Sequence, residues 1–150
     1  MQLFILRHGK AEPMLGNDAA RTLTERGRRQ VAQVCRKRSK ELSAVRAIWT
    51  SPFVRTQQTA DIVSAHLGLP TVTEPLLIGD SDPQQFLDLL QQQDNFPILL
   101  VSHQPLVGSL LNGLCGSGNA HPMGTSSLAC VSSEVWAKGC ADLDWLQHPE

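Results

Sequence analysis

No apolar run in this 150-residue sequence approaches the ~20 residues of a membrane span, which argues against a spanning helix. The opening MQLFILRHG has no basic stretch and no small-residue cleavage site, so no secretory signal is expected. The four cysteines, Cys35, Cys115, Cys130 and Cys140, form no CxxC and no close pair. They read as reduced packing thiols of a cytoplasmic protein; a zinc site, the rival reading, usually shows close ligand pairs. No internal repeat, low-complexity stretch or linker breaks the chain. Residues 1–150 are therefore expected to form a single domain, long enough to bury a real core.

Positive charge is almost missing from the last two thirds. Residues 56–150 hold one basic residue, Lys138, against ten Asp or Glu, whereas residues 1–55 hold twelve Lys or Arg against four acidic residues. Seven of the twelve fall between Arg26 and Lys40. This stretch is either a solvated helix face or a docking surface for an acidic protein partner. Nucleic acid is not the expected partner, because no aromatics interleave the basic residues and the pI is about 6.5.

What is present is an alternation of strand and helix signals. Residues 2–7 read as a buried strand, followed by a polar loop to about Thr24. Residues 25–43 predict a helix with Val31, Val34, Cys35 and Leu42 on one face. Residues 47–50 are a second strand. Ser51-Pro52 pairs a capping serine with a first-position proline, predicting a helix to Leu67 that stops at Gly68. A short strand at 71–73 precedes a second such signal, Asp82-Pro83, for a helix to about Gln92. Residues 98–101 are another strand, and Pro105 opens a helix to about Leu114. Residues 127–135 and 141–146 read as two strands around a turn at Lys138-Gly139. The pattern predicts an α/β fold: one three-layer domain, a mostly parallel sheet with helices on both faces, and an antiparallel C-terminal hairpin at one edge.

Polar residues follow directly after three of these strands: Arg7-His8-Gly9, Ser51-Pro52 with Arg55, and Ser102-His103. Ligands of open α/β sheets bind at the carboxyl ends of the strands, so Arg7, His8, Arg55 and His103 are expected to share one crevice. Helix starts at Pro52 and Pro105 would aim free N–H groups at the same place. Paired arginines grip phosphoryl oxygens, and a neutral histidine is a competent nucleophile on phosphorus.

At these residues the sequence resembles the histidine phosphatase superfamily. LTERGRRQV is similar to its L-T-x-x-G-x-x-Q segment, and TSPFVRTQQTADIV to its S-P-x-x-R-x-x-Q-T-A segment. LLVSHQPLVGSLL resembles the second-histidine segment, and TSSLACV the strand after it. Compact length, the SHQPLVG run, Arg21 before TLT and the short segment between Thr73 and Pro83 resemble the SixA-type phosphohistidine phosphatases within that superfamily. Mutase-like members carry an insertion there with a proton-donating acid, and an Asn six residues past the nucleophile. Here the acid position falls near Ile78 and the Asn position is Met14.

The resemblance implies hydrolysis of phosphohistidine on a protein, either a phosphotransfer domain or a phosphocarrier. His8 would be the nucleophile, with Arg7, Arg55 and His103 binding and stabilising the phosphoryl group. Arg21 would be a rim residue, its other reading being a surface loop arginine. No metal or other cofactor is expected. A small-molecule phosphomonoesterase of the same superfamily and a non-catalytic phosphate-binding module are the rival classes. Asp80 and Asp82 stay open as proton donors.

Overall fold

In the computed structural model, which describes residues 1–14, 16–116 and 121–150, the strand Ile98–Ser102 is buried at every position. An all-apolar run with its single polar residue last is what a strand covered on both faces requires. Six strands form the sheet: β1 (Gln2–Arg7), β2 (Ala47–Thr50), β3 (Thr71–Thr73), β4 (Ile98–Ser102), β5 (Leu128–Ser132) and β6 (Asp142–Gln147). Their order is β3-β2-β4-β1-β5-β6. The pairings among β3, β2, β4 and β1 are parallel; β5 runs antiparallel to β1, and β6 antiparallel to β5 at the edge. This is the expected α/β architecture.

Alternation along β4 separates two cores. Ile98 and Leu100 face one side, where Leu87 and Leu90 of α4 (Pro83–Leu90) and Leu110 and Leu114 of α5 (Leu106–Cys115) cover them. Leu99 and Val101 face the other, under Val31 and Val34 of α1 (Glu25–Lys37) and Ala60 and Val63 of α3 (Val54–Leu67). Among the described residues no helix is long and apolar enough to cross a membrane.

Three boundaries differ from the sequence reading. The helix expected over 25–43 breaks at Arg38 into α1 and a single turn, α2 (Ser39–Leu42). Arg38 is drawn out of helical geometry by distant partners: its guanidinium lies 4.0 Å over the Trp145 ring and its Nε donates to Gln147. α3 starts at Val54, with Phe53 rather than Ser51 in the cap position. β5 is shorter than expected and β6 keeps its expected length one residue further on, with Gly139 at φ 74° in the connection between them. Gly68, at φ 68°, does end α3, and Asp82 does cap α4 by accepting from the Gln84 N–H.

Candidate active site

β1, β4 and β2 finish in step: Arg7 pairs with Ser102, and Thr50 with Val101. The residues just beyond them therefore meet at one edge of the sheet. His8 is pinned there by its backbone. Its N–H donates to the Ser102 carbonyl at 3.0 Å, and its own carbonyl accepts from Ser126 N–H at 3.0 Å. Ser126 reaches that position in the left-handed region, at φ 63°, where a non-glycine residue is strained. Gly9 and Gly27 set the loop against α1. A Cβ on Gly27 would stand 2.3 Å from the Lys10 carbonyl oxygen, and one on Gly9 would stand 3.1 Å from the Gly27 oxygen. Only bare backbone lets the helix lie this close to the loop.

The imidazole of His8 has a defined tautomer. Nδ1 lies 2.7 Å from the Gly9 carbonyl oxygen, which can only accept, so Nδ1 carries the proton and Nε2 keeps its lone pair. Arg55 Nε donates to that Nε2 at 3.3 Å. Burial lowers the His8 pKa to about 4; the Gly9 hydrogen bond opposes this, and Arg55, Arg7 and Arg21 add to it. His8 is neutral at pH 7.

His103 stands edge-on to His8, with ring centroids 5.2 Å apart. Its Nε2 is 2.7 Å from Ser51 Oγ. Ser51 Oγ also accepts from the Phe53 N–H and lies 3.0 Å from Thr56 Oγ1. Burial, then the nearby His8 and Arg55, lowers the His103 pKa to about 3. Among the described residues His103 Nδ1 and Arg7 Nε are buried with no hydrogen-bond partner, two nitrogens beside His8. Buried polar atoms of this kind are costly unless a partner meets them. Arg7 Nη1 is fixed by the Met123 carbonyl at 3.0 Å. Burial and the neighbouring Arg55 lower the Arg7 pKa from its usual value.

Arg7, His8, Arg55 and His103 thus converge as expected. Arg21 does not touch them; it is joined to Arg55 through Asp18, a residue that the sequence reading passed over. Two of the expected N–H groups at the start of α5 are spent within the chain: Val107 N–H goes to the His103 carbonyl and Gly108 N–H to Gln104 Oε1. Ser51 serves His103 instead of capping α3. The segment from Glu74 to Pro83 packs beside His103, since a Cβ on Gly79 would stand 3.2 Å from His103 Cβ. Two of its carboxylates have structural work: Glu74 accepts from Leu76 N–H and Asp82 from Gln84 N–H. Asp80 is exposed. Among the described residues no group of three or more His, Cys, Asp or Glu could hold a metal ion.

The fold and the site together define a class: an α/β protein that gathers neutral histidines and arginines at the ends of its parallel strands. The chain belongs to the histidine phosphatase superfamily, branch 1, which it matches over residues 3–79. It is 32% identical to the phosphohistidine phosphatase SixA of Escherichia coli strain K12, across 99% of this chain and 94% of that protein. It is 31% identical to a phosphohistidine phosphatase SixA homolog of Haemophilus influenzae, across 79% of this chain and 80% of that protein. A structure of the protein histidine phosphatase SixA complexed with tungstate superposes with a TM-score of 0.90 at 30% identity, covering 99% and 97% of the two chains.

Proposed function

We propose that this protein hydrolyses phosphohistidine on a phosphotransfer domain or phosphocarrier protein of the cytoplasm. The observation that carries the reading is the pairing of a neutral His8 Nε2 with two buried, unpartnered nitrogens, Arg7 Nε and His103 Nδ1. His8 Nε2 attacks phosphorus in line. The bond from phosphorus to the substrate imidazole breaks with its electron pair going to nitrogen. Arg7, Arg55 and His103 hold the equatorial oxygens as charge develops on them. Water then attacks the phosphoryl group on His8, releasing inorganic phosphate and restoring the neutral ring. Arg21 serves at the rim. No step calls for a metal. Incubation with a set of radiolabelled phosphohistidine proteins tests the reading: loss of label as inorganic phosphate supports it, and retention of label on all of them refutes it.

Arg55 should matter most among the arginines, because its Nε already lies against the nucleophile. Arg55→Ala is expected to lower the rate by ~10² or more, the usual cost of removing a preorganised charge-stabilising donor. Arg55→Lys should recover only part, since an ammonium cannot present the planar fork. Steady-state turnover of the variants measures both.

The basic stretch lies on the exposed face of α1, where Arg26, Arg28, Arg29 and Arg36 make no ion pair among the described residues. Lys37 pairs with Glu150 at 3.2 Å. An acidic protein substrate would be drawn to this face. Reversing Arg26 and Arg29 to Glu is expected to raise KM for the phosphoprotein roughly tenfold. High salt should raise the KM of the unaltered enzyme in the same direction, as the Debye length shrinks to ~3 Å at 1 M.

A further inference from the structure

We infer that Asp18 is a positioning residue, which holds the outer edge of Arg55 so that its Nε edge stays turned to His8 and the phosphoryl group. The inference rests on the proposed phosphoryl chemistry at His8 and adds a residue to it. Arg55 is deeply buried, its side chain 8% exposed, and all three of its guanidinium nitrogens are engaged. Nε donates to His8 Nε2 at 3.3 Å. Nη1 donates to the Asp18 carbonyl at 2.9 Å, and Nη2 to Asp18 Oδ2 at 3.3 Å. Asp18 thus grips the two outer nitrogens with backbone and side chain together, which fixes the plane of the fork.

Asp18 is itself held. It opens a 3-10 turn, Asp18–Ala20, capped by Asn17 Oδ1, which accepts from Ala19 N–H at 3.0 Å. Its Oδ1 pairs with Arg21 Nη1 at 3.2 Å, and Arg21 Nε is tied to the Glu12 carbonyl at 2.7 Å. Arg21, Asp18, Arg55 and His8 form one chain of contacts from rim to nucleophile. This also gives Arg21 a role: it anchors the carboxylate that anchors Arg55. Asp18 carries the carboxylate that pairs with both arginines.

The test combines turnover with a measurement that needs no turnover. Asp18→Ala should lower kcat about tenfold, with KM for the phosphoprotein changing less than about threefold. Asp18→Asn, which keeps an acceptor oxygen without the charge, should lie between the two and guards against a folding defect. In an Arg55→Ala background, adding Asp18→Ala should cost less than about twofold more, because the two act as one unit. Full activity of Asp18→Ala, or an undiminished loss in the Arg55→Ala background, would overturn the inference. Independently, the Arg55 Nε–H signal of 15N-labelled enzyme should exchange slowly in the unaltered protein and faster in Asp18→Ala. An unchanged exchange rate would also overturn it. If the enzyme turns over no phosphohistidine at all, the proposed function fails, and the Nε–H exchange still decides the role of Asp18.

Discussion

Turnover of a radiolabelled phosphohistidine protein, quenched with denaturant at alkaline pH where the N–P bond survives, should leave label on His8, and His8→Ala should trap none. The variant should lose at least ~10⁴-fold in rate, because a nucleophile acts as part of a unit that fails when it is removed. Among the described residues no other neutral nitrogen is placed like its Nε2: backbone bonds on two sides fix the residue, and Gly9 fixes the tautomer. His103 is no substitute, as its Nε2 is committed to Ser51. Label on any other residue, or an active His8→Ala enzyme, would remove His8 from the mechanism. The same geometry fixes a pH dependence. The His8 pKa is lowered, so the ring is neutral above about pH 4 and protonated below it. A protonated ring has no lone pair, so kcat/KM should hold through the neutral range and fall as pH drops past about 4.

Alkyl phosphates should be cleaved several powers of ten more slowly than phosphohistidine, with aryl phosphates in between. An alkoxide leaves as the base of an acid with a pKa of about 16. A phosphohistidine protonated at its other ring nitrogen leaves as neutral imidazole, whose conjugate acid has a pKa of ~6.5. The first needs a proton delivered as the bond breaks; the second does not. The segment beside His103 offers little to deliver one: Ile78 and Gly79 carry no acid, and Asp82 is engaged at the cap of α4. Each tenfold gap corresponds to ~1.4 kcal/mol of barrier. Asp80→Asn and Asp82→Asn should leave phosphohistidine turnover intact, and Asn still caps a helix. Loss of turnover in either variant would identify that carboxyl as the acid. Sugar phosphates cleaved as fast as phosphohistidine would favour the small-molecule phosphatase.

The meeting of Arg7, His8 and His103 was legible because they end or closely follow apolar strands, and a parallel sheet brings such positions to one edge; Arg55 was reached through the Ser-Pro segment after β2 and lies in the first turn of α3. Asp18 was not legible. It sits in a polar loop with no periodicity, and its importance comes from Arg55, 37 positions away in sequence. Ser51 misled for a related reason. Ser-Pro reads locally as a helix start, but the hydroxyl has a stronger long-range claim from His103, and the helix begins three residues later. The break at Arg38 carries no Gly or Pro signal. It is set by Trp145 and Gln147 on the edge strand, which only the folded chain brings near. Local patterns reported where the strands end; side chains that answer to distant partners stayed silent.

The contact of Gly27 with Lys10 has a consequence for partner choice. It packs α1 directly against the backbone of the loop that carries His8, so the basic helix stands at a set distance from His8. A partner resting its acidic face on α1 would meet His8 at a fixed offset, like work set against a gauge. Its phosphohistidine must then project from its own surface at the matching distance and angle. Proteins of equal acidity but different spacing would bind and yet present no phosphorus to His8. Selectivity would reside in reach as much as in affinity, and lengthening the loop between Gly9 and Gly27 would change which partner fits.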